Sequence, residues 1–189
     1  MSRHLALVGT TASGKSDLAL AVARAAGDIE IVSVDSMQVY RGMDIGTAKP
    51  DPAERGGVPH HLLDLWHVRD AASVAEYRQA AREQIDRLRA AGVLPLLVGG
   101  SGLYVRAVID ELEFPGTDAA VRARLEEELA AVGPAGLHER LAGIDPAAAA
   151  TILPSNGRRI VRALEVVELT GRPFVAALPE PAYAIPAVQ

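Results

Sequence analysis

Gly9-Thr10-Thr11-Ala12-Ser13-Gly14-Lys15-Ser16 limits what this chain can become more than any other stretch. It follows the apolar run Leu5-Ala6-Leu7-Val8 and precedes Asp17-Leu18-Ala19-Leu20-Ala21-Val22-Ala23. Strand, Gly-rich turn and helix are the context of a phosphate-binding P-loop, and the spacing G-x-x-x-x-G-K-S/T is intact. Backbone N–H groups and the positive end of a new helix then converge on one anion-sized hole. Lys15 brings a mobile positive charge, and the Ser16 hydroxyl can ligate a Mg²⁺ already held by phosphates. A chance Gly/Ser turn is the alternative. Lys15 is one of only two lysines in the chain, and it stands where the motif demands one.

The rest of the chain supports an α/β reading. A helix is predicted from Ser16 to Ala26, stopped by Gly27. Glu30-Ile31-Val32-Ser33-Val34-Asp35 reads as a β-branched strand ending on a carboxylate. In open parallel sheets the ligand crevice lies at the carboxyl ends of the strands. A strand parallel to the first therefore carries Asp35 to the P-loop edge. Residues 36–50 read as a loop over that crevice, carrying Gln38, Tyr40, Arg41, Asp44, Thr47 and Lys49. Residues 51–72 read as irregular.

Ser73-Val74-Ala75-Glu76 is a capping box, and Val74, Tyr77, Ala81, Ile85 and Leu88 then recur on one helical face. Residues 93–98 form a buried strand, followed by Gly99-Gly100-Ser101-Gly102, a second Gly-rich turn at the same edge. Helices are expected over 118–132, 136–143 and from Asp145-Pro146, and a last one from the Asn156 cap through Thr170. On that last helix Ile160, Leu164 and Val167 form an apolar stripe, with Arg158, Arg162 and Glu165 together on another face. The predicted organisation is a P-loop core over 1–116, a helical insertion over 117–154, and a return to the core over 155–189. The tail 176–189 shows no pattern.

Composition removes several alternatives. The chain has 189 residues, 49% of them hydrophobic and 23% charged, an ordinary globular balance. It has no cysteine, which excludes disulfides and thiolate metal sites and fits a reducing compartment. No run approaches membrane-spanning length and the N-terminus lacks the shape of a signal peptide, so a cytoplasmic protein is expected. The net charge of −5 argues against polyanion binding over the whole surface, though not against a local basic patch.

Three constellations carry more than one reading. Asp35 can be a magnesium-shell carboxylate, a substrate-binding base or a turn cap; the polar loop behind it favours substrate contact. His60 and His61 with Asp64 suggest a metal, but no third ligand stands at a persuasive spacing, and a structural pair is favoured. Arg158-Arg159-Ile160-Val161-Arg162 reads equally as a solvated helix face and as a contact for a phosphate backbone.

Taken together, five blocks resemble, in order, the signatures of the bacterial tRNA dimethylallyltransferase family. They are Gly9–Ser16, Asp35–Pro50, Val58–Asp64, Gly99–Tyr104 and Arg158–Val166. The resemblance spans nearly the whole chain, to about Pro173, and Asp35–Pro50 is its most specific block. It implies transfer of the dimethylallyl group of dimethylallyl diphosphate to N6 of the adenosine just 3′ of the anticodon. By this resemblance the P-loop holds the donor's diphosphate, with Lys15 and a Ser16-bound Mg²⁺ stabilising the departing anion. Asp35 matches the carboxylate that takes the adenine amine proton. Ser36, Met37 and Gln38 match the stretch that reads the base, which must leave its stack to reach the allyl group. Ser101 stands where the family usually has threonine, near the diphosphate. Arg122 and 158–162 match positions that contact tRNA.

The resemblance also implies differences. Thr10 replaces the usual proline of the P-loop. The family's chains run further, so this sequence is expected to be the N-terminal part of the enzyme, a monomer with an open sheet edge. A P-loop small-molecule kinase is the nearest rival reading, because Asp35 can equally orient a hydroxyl nucleophile. An enzyme prenylating free adenine nucleotides is a second rival. A fragment that binds tRNA or diphosphate without catalysis is a third.

Overall fold

The computed structural model describes residues 4–70, 72–112 and 114–174. The described residues fall into two compact units, one ending at Leu112 and the other running from 114 to 174. No helix among them is long and apolar enough to cross a membrane.

The first unit is a four-stranded parallel sheet with helices on both faces. In chain order it contains β1 (Leu5–Val8), α1 (Lys15–Ala26), β2 (Ile29–Ser33), β3 (His60–His61), α2 (Val74–Ala90), β4 (Leu94–Gly99) and α3 (Gly102–Ile109). The strand order is β1-β4-β2-β3, with Ile31 opposite Leu96 and Leu5 opposite the same residue from the other side. This is a P-loop NTPase-like arrangement, as the sequence predicts. Strand β3 is the addition, a short parallel pairing within the stretch expected to be irregular. It is too short for any period-two pattern to announce it.

The strands sort their side chains by alternation. Ile29 and Ile31 of β2 and Leu96 and Val98 of β4 pack under Ala19 and Ala23 of α1. Val32, Val34 and Leu97 face the opposite way, onto Tyr77, Ala81, Ile85 and Leu88 of α2 and Val105 and Val108 of α3. Each such aliphatic side chain contributes about 2 kcal/mol on burial. The Ser73 capping box is complete in both directions, with Glu76 N–H donating to the Ser73 hydroxyl at 3.1 Å. β1 lies at one edge of the described sheet, and its Leu5 and Val8 are 43% and 51% exposed.

The second unit contains α4 (Ala119–Ile144), α5 (Pro146–Thr151) and α6 (Gly157–Thr170). The break expected at Gly133-Pro134 is a kink within α4, where Gly133 has φ 74° and ψ 170°. Asp145 and Asn156 cap α5 and α6, as their side chains predict, and Gly171 ends α6 at φ 65°.

One boundary differs from the expectation. The segment after 154 was expected to return to the core, but α6 packs with α4 in the helical unit. Its Ile160, Val161, Ala163 and Leu164 share a cluster with Leu125, Leu137 and Leu141 of α4. Ile160 and Leu164 of the expected stripe are buried there, whereas Val167 is only partly buried; the stripe's partner is α4. Residues 175–189 of the predicted segment lie outside the described residues.

Candidate functional site

A cleft of about 350 Å³ opens at the carboxyl ends of the strands. Its floor is the turn from β1 into α1, with Thr11, Ala12, Ser13, Gly14, Lys15 and Ser16 lining it. Gly14 is the N-cap of α1 at φ 78°, and no side chain caps the helix. The first N–H groups of α1 are therefore left for a ligand, and they carry the positive end of the helix dipole. Ala12 holds a left-handed φ of 63°, a conformation that costs a non-glycine residue about 1 kcal/mol or more. Lys15 Nζ donates to Thr10 O at 3.1 Å, so the ammonium lies back along its own loop.

The loop is braced by the end of β4. Gly9 N–H donates to Gly99 O at 3.3 Å, and Val34 N–H donates to Val98 O at 2.7 Å. A Cβ on Gly99 would lie 1.9 Å from Val34 O, and one on Gly100 would lie 2.8 Å from Gly9 O. The glycines thus let three strand ends meet at van der Waals distance. Ser101 follows as the N-cap of α3, and its side chain makes no capping hydrogen bond. It follows Gly100, which abuts Gly9 O and Lys15, but does not line the cleft, nor do Gly9 and Thr10.

Asp35 stands two residues beyond β2 and lines the cleft opposite the P-loop. Its Oδ1 accepts the N–H groups of Met37 at 2.8 Å and Gln38 at 3.2 Å. Asp35 thus caps its own turn, one of the readings left open by the sequence, and it also lines the cleft. Among the described residues, Oδ2 accepts no hydrogen bond. Behind it Tyr77 donates its hydroxyl to Ser33 O at 2.6 Å, and its ring lies 4.7 Å from that of Tyr104. Burial, with the Asp35 carboxylate and the other ring nearby, pushes the Tyr77 hydroxyl far up. Tyr104 is raised by burial and by Tyr40 and Asp35.

The residues expected to read a base divide. Met37 is 44% exposed and lines the cleft with Gln38. The Gln38 amide, however, is already engaged. Its oxygen accepts from Ser33 Oγ at 2.8 Å, and its nitrogen donates to Thr47 O at 3.1 Å and Ala48 O at 2.9 Å. It holds the Gly46–Ala48 segment, which forms another wall of the cleft. Ser33, hidden in the strand, had no sequence signal for this role.

His60 lines the cleft, with Nδ1 against Val58 O at 2.8 Å, and burial lowers its pKa with help from Arg55 and His61. His61 Nε2 meets Glu30 Oε2 at 2.6 Å. The two rings thus have separate structural partners. Among the described residues no three His, Cys, Asp or Glu side chains gather as a metal cluster. A Mg²⁺ still fits the donor set, because that ion keeps most of its waters and takes few protein ligands beside phosphate oxygens. Ser16, at the second position of α1, lines the cleft and is the residue that would hold it.

The remaining predicted residues lie in the helical unit. Arg158 and Arg159 are exposed at the start of α6. Ile160 and Val161 are 0% and 2% exposed, so contact of their side chains with RNA is excluded while α6 is packed. Arg122 and Arg162 both grip Glu165, which is fully buried. Arg162 also donates to Pro115 O at 2.6 Å and Gly116 O at 3.0 Å. Burial alone would raise the Glu165 carboxyl, but donors from Arg122, Arg162 and the Asp118 backbone hold it below its ordinary value. Sequence periodicity put Arg158, Arg162 and Glu165 on one face; the structure makes Glu165 the buried centre of an arginine pair instead.

Comparison with known proteins places these features. The model of the IPP transferase family matches residues 38–187. A tRNA dimethylallyltransferase of Streptomyces coelicolor is 67% identical over 177 residues, covering 94% of this chain and 56% of the relative. One from Thermobifida fusca is 62% identical over 193 residues, covering 100% and 60%. Among solved structures, the full-length tRNA isopentenylpyrophosphate transferase of Bacillus halodurans is 45% identical with a TM-score of 0.58, covering 92% of this chain and 58% of that one. A eukaryotic dimethylallyltransferase acting on tRNA is 26% identical with a TM-score of 0.76, covering 92% and 43%. The chain spans a little over half the length of the curated relatives it matches. The matched family model covers most of the sequence, from Gln38 onward and with it the Gly46–Ala48 wall of the cleft, and the chain belongs to the IPP transferase family.

Proposed function

We propose that the chain carries the donor and base sites of a tRNA dimethylallyltransferase. The reaction moves the dimethylallyl group of dimethylallyl diphosphate to N6 of the adenosine 3′-adjacent to the anticodon, releasing diphosphate. The observation that carries this reading is the pairing, in one cleft, of an uncapped helix N-terminus with a carboxylate whose Oδ2 accepts no hydrogen bond among the described residues. The membership in the family and the names of the relatives agree with it.

Each part has a chemical task. The N–H groups of the P-loop and α1 bind the diphosphate, and Lys15 swings from Thr10 O to neutralise the charge that grows as the allylic C–O bond breaks. Ser16 would hold a Mg²⁺, which supplies charge neutralisation on the leaving diphosphate. Asp35 Oδ2 accepts a proton from the adenine amine while Oδ1 keeps the carboxylate on its turn. Met37 offers apolar surface to the flipped base, and Gln38 shapes the wall beside it. Ser101 follows Gly100, which abuts Gly9 O and Lys15, and its hydroxyl is assigned to the diphosphate side. Arg158 and Arg159 are exposed cations at the start of α6, suited to a phosphate backbone; Arg122 and Arg162 converge on Glu165, and Arg122 so ties α4 to α6. Such a protein works as a monomer in the cytoplasm, where its RNA is.

Separate incubations with ATP and with dimethylallyl diphosphate test the reading against the kinase alternative. Allyl transfer to an anticodon stem-loop with no dependence on ATP is expected. ATP-dependent phosphorylation without allyl transfer would overturn the proposal.

A further inference from the structure

Lys49 is the second lysine of the chain, and its side chain is 3% exposed. An ammonium so deeply buried must satisfy all three donors. It does so on three separate pieces of chain: Tyr40 O at 2.6 Å, Asp44 Oδ1 at 2.8 Å and Asp64 Oδ1 at 2.7 Å. Two of these pieces belong to the loop after Asp35, and the third follows β3. The same segments are laced together by Asp64 N–H to Gln38 O, Trp66 N–H to Val39 O and Arg41 N–H to Trp66 O. Ala48 and Asp64 hold left-handed φ values of 52° and 56°, so the loop is bent into a shape its residues do not favour alone.

This hub is next to the cleft but not in it. Lys49 is absent from the lining, whereas its neighbours Gly46, Thr47, Ala48 and Pro50 form one wall. That wall has two polar anchors, Lys49 behind and the Gln38 amide in front. The P-loop is held independently, by β1, α1 and the end of β4.

We propose that Lys49 is a positioning residue for the acceptor side of the cleft, fixing the Gly46–Pro50 wall and through it Gln38 and the Asp35 turn. The diphosphate side does not depend on it. This rests on the prenyl-transfer reading above for its kinetic readout, and on loop order for a readout that does not.

The test compares the unsubstituted chain with Lys49→Met, Asp64→Ala and Asp64→Asn. Three quantities are measured: affinity for inorganic diphosphate with Mg²⁺, KM and kcat for allyl transfer to an anticodon stem-loop, and hydrogen exchange of amides 43–49. Emission from Trp66, the single tryptophan of the chain, reports the loop directly. For Lys49→Met, a rise of about tenfold or more in stem-loop KM is expected, with faster exchange at 43–49 and diphosphate affinity within about twofold. Asp64→Ala follows it in direction and serves if Lys49→Met does not fold. Asp64→Asn, whose amide oxygen still accepts from the ammonium, stays within about threefold of the unsubstituted chain.

Faster exchange with an unchanged stem-loop KM would overturn the positioning role, as would a parallel loss of diphosphate affinity. If the unsubstituted chain transfers no allyl group, the reaction assignment fails. The loop-order claim is then still decided by exchange and Trp66 emission, and unchanged values in Lys49→Met overturn it.

Discussion

Asp35 accepts the Met37 N–H through Oδ1 at 2.8 Å, so the carboxylate assigned to proton removal also caps the turn that presents it. The two roles separate by substitution. Asn at this position keeps an oxygen to accept from Met37 and Gln38 but cannot take a proton. Asp35→Asn is expected to lower the transfer rate by about a hundredfold or more, with diphosphate affinity within about twofold. Asp35→Ala loses the cap as well and is expected to lower thermal stability by about 1 kcal/mol further. Single-turnover transfer and calorimetric binding measure the two effects. Near-full activity in Asp35→Asn would remove the base assignment.

Lys15 is expected to behave in the opposite way. Its ammonium contacts Thr10 O at 3.1 Å, a neutral acceptor that a diphosphate oxygen replaces with gain. Lys15→Ala should weaken diphosphate binding by about tenfold or more, a loss of about 1.5 kcal/mol or greater. Titration of the diphosphate into each protein reads this directly. Equal affinity in the two would place the anion elsewhere.

Much of this was legible in the residues. The order of β1, α1, β2, α2 and β4 follows from apolar runs, the capping box and glycine stops, because each is a local rule with a local outcome. The P-loop could be named from spacing, and Asp35 from its place at a strand end, with its role given only by resemblance. What spacing could not supply were relations between distant residues. Gln38 is committed to Thr47 and Ala48, and Lys49 joins Tyr40, Asp44 and Asp64; neither linkage has a periodic signature. The misplaced boundary after 154 has the same origin. An amphipathic α6 announces that it will bury Ile160 and Leu164, but not whether a sheet or α4 will cover them. Arg122 and Arg162 match RNA contacts by resemblance; their shared hold on the buried Glu165 had no signal in the sequence.

That partner makes stability depend on pH. Glu165 is held below its ordinary value of 4.5 in the folded chain, so folding favours the ionised form. Its contribution is present above about pH 4.5 and is lost as pH falls through the lower, folded value. Glu165→Gln should cost about 3 kcal/mol near pH 6, because it leaves two arginines against an uncharged amide. The gap to the unsubstituted chain should narrow by about pH 3.5. Urea midpoints for both proteins at the two pH values check this. A gap that is constant with pH would mean that Glu165 charge contributes nothing to folding.

Gly99 is the tightest point of the site's framework. Its missing Cβ leaves room for Val34 O, which a methyl group would approach to 1.9 Å. Because the obstacle is backbone, it cannot rotate away. Gly99→Ala should destabilise the first unit by about 3 kcal/mol. Thermal melting measures the change, and a midpoint within about 2 °C of the unsubstituted chain would show that the strand ends separate easily.

The central claim is transfer of an allyl group to one adenosine. Labelled dimethylallyl diphosphate and Mg²⁺ are supplied with an anticodon stem-loop, with the same stem-loop carrying inosine at the target position, and with free AMP. Label is expected on the adenosine stem-loop, none on the inosine form, and far less on AMP. Diphosphate binding with no labelled product even at high protein concentration, or equal labelling of AMP, would contradict it.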